Sequence, residues 1–169
     1  MKKISVLHKA ACLAAAVMMV CAFSCALAQS AVIDNGADAA AMLNVRMAPD
    51  KGASALGRFL SGTQVEILGE AGNGFSKIAI GSGNSAVTGY AMTQYLSGGA
   101  QVDATYEACV ASPYGTQSVV LRDKASNSYH PVAMLMVGER VLVVGEKDGF
   151  RYVKTGSGCV GCLLESELK

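Results

Sequence analysis

Apolar and polar residues alternate along most of this chain with the two-residue period of half-buried strands. Leu43, Val45 and Met47 alternate with Asn44 and Arg46. The segment from Pro49 to Gly52 then ends the run as a turn, since proline presets its backbone angle and glycine accepts positive φ. Leu56 to Leu60 leads to Gly62, and Val65 and Ile67 carry the next strand. Ala71 to Gly74 contains Asn-Gly, a tight hairpin signal. A strand from Phe75 to Ile80, a turn at Gly81 to Ser85 and a closing run from Val87 to Tyr95 complete the first half. The i, i+3, i+4 period of a long helix is absent from this region. Residues 29–42 are small and weakly patterned, and read as a leader into the first strand.

The pattern then returns. Gly62-Thr-Gln-Val-Glu-Ile-Leu-Gly-Glu70 is echoed 76 residues later by Gly138-Glu-Arg-Val-Leu-Val-Val-Gly-Glu146. At the same offset Arg46 answers to Arg122, Val65 to Val141 and Gly69 to Gly145. After a one-residue slip Gly74-Phe75 answers to Gly149-Phe150, and after a further loop deletion Gly89 answers to Gly161 and Leu96 to Leu168. Spacing held through that many chemically similar positions marks an internal duplication. Short strands between glycine-rich turns predict an all-β chain of two tandem small β-barrels. Each unit is about 55 residues, near the lower limit at which one apolar core stands alone.

The amino terminus follows a different logic. Lys2, Lys3 and Lys9 precede an apolar run from Ala10 to Phe23, and small residues at Ala26 and Ala28 suit cleavage before Gln29. The run is short for the ~20 residues of a membrane span, so a cleaved signal peptide is the expectation, with no integral membrane segment after cleavage. The organisation expected is a signal peptide over 1–28, a leader over 29–42, a first unit over 43–97, a linker over 98–117 able to contribute a strand to the second unit, and a second unit over 118–169. With the three leader lysines set aside, eleven basic residues face thirteen acidic ones. That balance supplies no electrostatic footprint for nucleic acid.

Three cysteines remain beyond the leader: Cys109, Cys159 and Cys162. In an exported chain Cys109 could bridge to Cys159 or Cys162, and three buried unpaired thiols fit the sequence equally well. Cys159-Val-Gly-Cys162 has the spacing of a redox pair or half a metal site. It lacks a second pair or a neighbouring histidine, and it sits in a strand pattern where residues three apart point to opposite faces. His130 is the one histidine beyond the leader, which leaves a Cys/His nucleophile without support. The chain carries no phosphate-binding loop and no dinucleotide fingerprint. No cofactor and no metal are expected.

Leu43-Asn-Val-Arg46, Gly62-Thr-Gln-Val-Glu-Ile-Leu68, Gly74-Phe-Ser-Lys-Ile78 and Gly89-Tyr-Ala91 with Tyr95-Leu96 together resemble the bacterial SH3-like (SH3b) domain family. The second unit keeps Arg122, Gly138, Gly149-Phe150 and Gly161, but its closing Gly-aromatic has become Gly161-Cys162, and Glu167 stands opposite Tyr95. The resemblance implies small β-barrels outside the membrane that commonly accompany wall-lytic enzymes and bind peptidoglycan, often through its peptide crosslinks. Tryptophan, which the family favours at several of these positions, is absent and replaced by Phe or Tyr.

Aromatic side chains are the candidate ligand contacts. Tyr90, Tyr95, Phe59 and Phe75 in the first unit, and Phe150, Tyr152 and Tyr129 in the second, could line a groove for an extended peptide, because a tyrosine ring offers apolar area while its hydroxyl still reaches a partner. Phe75 and Phe150 also suit an ordinary core. Arg46 and Arg122 could grip a carboxylate, or pair internally and cover a barrel end with their stems. The reading is an exported, non-enzymatic binding module of the cell envelope that recognises peptidoglycan or an extended peptide. The alternatives are a scaffold contacting another secreted envelope protein without wall affinity, and a thiol redox protein acting through Cys159 and Cys162.

Overall fold

The computed structural model describes residues 29–36, 38, 41–100 and 102–169. The expected signal peptide lies outside the described residues. The described chain is all-β. The first half runs β1 (Gln29–Ile33), β2 (Met42–Arg46), β3 (Ala55–Leu60), β4 (Gln64–Gly72), β5 (Phe75–Ile80), β6 (Val87–Met92) and β7 (Leu96–Ser97). The second runs β8 (Tyr106–Cys109), β9 (Ser118–Arg122), β10 (Pro131–Met136), β11 (Arg140–Lys147), β12 (Phe150–Thr155) and β13 (Val160–Leu164). Single 3₁₀ turns at Gly83–Ser85, Thr93–Tyr95 and Glu165–Glu167 link or end strands.

Alternation is what makes these strands. Leu43 and Val45 of β2 are buried while Asn44 between them is exposed. The β4–β5 hairpin turns through Asn73 and Gly74, both at positive φ, and the β11–β12 hairpin through Asp148 and Gly149 in the same conformation. Asn, Asp and Gly are the residues that tolerate that region, which is why the two turns carry them.

The halves pair in the same order. One half reads β3-β2-β6-β5-β4-β1 and the other β10-β9-β13-β12-β11, with β8 also on β11. The register repeats too. Asn44 faces Arg58 and Leu43 faces Phe59, as Val120 faces Met134 and Val119 faces Leu135. Both hairpins shift register at their ends, where Arg46 meets Ala55 and Arg122 meets Pro131. A bulge between Ile67 and Gly69 in β4 is matched by one between Val143 and Gly145 in β11.

Strand pairing corrects two expectations. The leader over 29–42 contains a true strand: β1 pairs with β4 from Gln29 opposite Ile67 to Val32 opposite Gln64. It occupies the place that β8, within the stretch expected as linker, takes on β11. Gln-Ser-Ala-Val-Ile holds few bulky residues, yet Ala31 and Ile33 are buried in the core, and that pairing with a distant strand fixes the segment. Second, the strands do not close as two separate barrels. Beyond its bulge β11 pairs with β3, Gly145 opposite Phe59 and Glu146 opposite Arg58, so one continuous open sheet runs through both halves.

The physical reason lies in the core. One apolar cluster takes Leu43, Val45, Phe59, Val65, Ile78 and Ile80 from the first half together with Val144, Phe150, Tyr152 and Cys162 from the second. A smaller cluster around Val110, Leu121, Val143 and Leu163 belongs to the second half alone. Two units this small gain apolar burial by sharing a core that neither completes by itself.

Candidate functional site

The joint between the halves shows how this fold holds an extended segment. Residues Leu56 to Phe59 of β3 lie across Tyr152. The Tyr152 hydroxyl donates to the Leu56 carbonyl at 2.8 Å, and the Phe59 and Tyr152 rings sit 4.8 Å apart at 39°. Gly57 and Gly145 permit the approach. A Cβ on Gly57 would lie 2.6 Å from the Tyr152 ring, and one on Gly145 would lie 2.5 Å from the Arg58 carbonyl oxygen. Polar groups at the seam are paired. The Thr63 hydroxyl donates to the Val144 carbonyl at 3.0 Å and Lys147 Nζ to the Ala55 carbonyl at 3.0 Å, while Arg58 pairs with Glu146 at the exposed rim.

Beneath that segment is a row of three register partners: Arg122 of β9, Cys162 of β13 and Tyr152 of β12. All three are buried. Residues directly opposite one another in antiparallel strands share a face, so this row is the floor on which the first half sits. Burial pushes the Cys162 thiol up to about 12, and burial likewise raises the Tyr152 phenol. Arg122 is capped by Glu167, with bonds of 2.6 and 3.0 Å, and its guanidinium lies 4.9 Å from the Tyr129 ring centre and 5.9 Å from that of Phe150. The hydrogen bond that Arg122 donates to Glu167 raises the guanidinium pKa further, against the cost of burial.

The corresponding row in the first half is Arg46, Tyr90 and Lys77, partners across β2, β6 and β5. Here Lys77 is exposed and Tyr90 and Arg46 are half-buried. No strand of the described chain lies over this row. Arg46 spends one nitrogen on the Ala53 carbonyl at 2.6 Å. A tyrosine ring is thus flanked by two cations on an outward face. The arrangement can hold an extended peptide that bears a carboxylate, the ring giving apolar contact and the cations charge-assisted hydrogen bonds.

The sequence candidates divide accordingly. Arg46 and Tyr90 are brought together. Tyr95, in the turn after β6, packs half-buried against the shared core, and its carbonyl accepts from the Asp34 amide at 2.9 Å. Phe59 is fully buried at the joint and Tyr152 nearly so, so neither offers a surface to a ligand. Each is covered by the other half of the chain, a contact between residues distant in sequence. Phe75 and Phe150 are buried as core. Arg122 is sealed by Glu167, and Tyr129 remains more than a third exposed beside it. Sequence reasoning misses Lys77, although the Gly-Phe-Ser-Lys-Ile motif that carries it is legible.

Cys109, Cys159 and Cys162 are all free, so the bridge from Cys109 to either partner is not formed. Cys162 lies in the shared core, while Cys159 borders the smaller cluster from a turn. Hydrogen bonds from Ser85, Ser157 and Thr155 hold the Cys159 thiol below its usual range. The two sulfurs thus occupy different environments. Two clefts of about 440 and 390 Å³ open along the joint, and neither is lined by Tyr90 or Tyr95. No helix among the described residues is long and apolar enough to cross a membrane.

Residues 41–97 match the family model of the bacterial SH3 domain. That segment holds the open Arg46, Tyr90 and Lys77 row. Among solved structures the chain is similar to NlpC1 from Trichomonas vaginalis, with 16% identity over 84% of this chain and 45% of that one, at a TM-score of 0.38. It is also similar to NlpC2 from the same organism, with 16% identity over 84% of this chain and 48% of that one, at a TM-score of 0.36. The chain spans about half the length of these two structures. No curated protein sequence matches it.

Proposed function

We propose that this chain is an exported, non-catalytic binding module of the cell envelope. Its first unit takes an extended, carboxylate-bearing peptide across Arg46, Tyr90 and Lys77, and residues 106–169 form a second unit of the same kind. The observation that carries this reading is the contrast between the two rows. In the second half the row is already covered by an extended segment, Leu56 to Phe59, and in the first half the matching row faces outward. Peptide segments of peptidoglycan have the required chemistry, being extended and acidic, and bacterial SH3 domains are typically wall-binding modules. Shallow contact with one ring and two cations predicts weak, salt-sensitive binding.

The test is co-sedimentation of the purified chain with insoluble cell-wall sacculi. Tyr90→Ala and Lys77→Ala should each weaken the affinity by about fivefold, matching the ~1 kcal/mol of one partly exposed contact. Binding unchanged in the Tyr90→Ala, Lys77→Ala double variant would remove the proposed site.

A further inference from the structure

The joint inside the chain joins an edge on β3 to a socket on β11, and the duplication leaves one unused copy of each. The spare socket is on β4. Its first part, Gln64 to Ile67, is covered by β1 just as Arg140 to Val143 of β11 is covered by β8. Past the bulge, Gly145 and Glu146 pair with Phe59 and Arg58. Their counterparts Gly69 and Glu70 pair with β5 on one side and with no strand among the described residues on the other. Val144 lies 2% exposed under the first half, whereas its counterpart Leu68 is 43% exposed. A Cβ on Gly69 would meet nothing within 4 Å. Leu68, Gly69, Glu70 and Ser76 line a shallow groove of about 300 Å³ at this place.

The spare edge is β10. It pairs with β9 in the register in which β3 pairs with β2, and it ends the sheet. Met134 takes the place of Arg58 and Leu135 that of Phe59. Pro-Val-Ala-Met-Leu-Met carries no charge, and Met134, Met136 and Val137 are exposed. Natural edge strands are usually blunted by charge or cover, and an uncharged apolar edge is a template for another chain.

We propose that a second copy of this chain docks its β10 on the Leu68 to Glu70 edge of β4, with Leu135 opposite Gly69 and Met134 opposite Glu70. This inference rests on the reading that the first unit accepts an extended segment, and adds to the carboxylate-bearing peptide a second occupant, an uncharged strand seated on the β4 edge. The contact is head-to-tail, so association leaves one free edge and one free socket at the ends of each assembly.

Sedimentation velocity over a concentration series of the chain beginning at Gln29 tests it. The sedimentation coefficient should rise with concentration. Met134→Glu, at an exposed position, sets two carboxylates opposite one another and should weaken association by about two- to fivefold. Met134→Arg recreates the Arg58 and Glu146 pairing with Glu70 and should tighten it about two- to fivefold. Glu70→Arg combined with Met134→Glu should restore association relative to Met134→Glu alone, and circular dichroism confirms that each variant is folded. A chain monomeric up to ~1 mM, the affinity of only ~4 kcal/mol, would overturn the proposal, as would association indifferent to Met134→Glu. Tyr90-dependent binding to sacculi by a strictly monomeric chain would sink this inference and leave the binding function standing.

Discussion

Arg122 is held bidentately by Glu167, at 2.6 and 3.0 Å, at the position where the first half carries Tyr95. The arginine is common to both halves, and its surroundings have diverged. Arg46 keeps a single bond to the Ala53 carbonyl beside an open tyrosine. Glu167 also accepts from the Leu164 amide at 2.8 Å, which ties the carboxylate to the turn that ends β13. In the second half the arginine is closed into an internal ion pair, and in the first half its counterpart stays half-buried beside Tyr90.

Glu167→Gln should destabilise the fold by about 3 kcal/mol, because it leaves a buried guanidinium without its counter-charge. Arg46→Ala should cost about 1 kcal/mol, the worth of one partly exposed hydrogen bond and its stem packing. Urea unfolding of both variants checks the ranking, and equal losses would mean that the two arginines still do the same job.

Gly145→Ala should open the joint. Its methyl group would lie 2.5 Å from a backbone oxygen, which cannot swing aside as a side chain can. The expected loss is about 1–3 kcal/mol, with a weaker near-ultraviolet circular dichroism signal from the stacked Phe59 and Tyr152. An unaltered aromatic signal would mean that the two halves meet without needing the close approach at Gly145.

Thiol chemistry should be ordered. Cys159 sits in a turn with its pKa lowered, first by Ser85, so it should react with a maleimide near neutral pH. Cys162 is buried and pushed up to about 12, so it should stay protected until the chain unfolds. Mass spectrometry of labelled peptides reads the order directly. Labelling of Cys162 before Cys159 in folded protein would refute it.

The same burial sets a pH dependence. An unfolded Cys162 thiol ionises near 9, and the folded one resists until about 12. Stability from this site is therefore fully present below about pH 9 and is lost as the pH rises towards 12, by on the order of 2–4 kcal/mol. Tyr152 acts in the same direction, since burial raises it too. Denaturant midpoints measured from neutral to alkaline pH should fall steeply above about pH 9, and Cys162→Ala should flatten part of that fall. An identical slope in the variant would exclude the thiol as its source.

What the sequence determined by itself was local and periodic. Alternation at Leu43, Val45 and Ile78 requires strands, Asn73-Gly74 and Asp148-Gly149 require tight turns, and the 76-residue echo requires two units of one pairing plan. Each of these follows from backbone sterics and from which face of a strand meets water, both settled within a few residues. Tertiary structure alone decided that β1 exists, that β3 crosses to β11, and that Tyr152 is covered while Tyr90 is open. Those outcomes depend on which distant edges meet. Two copies of a motif share the same local energetics, so nothing within a motif can say which copy will be buried by the other.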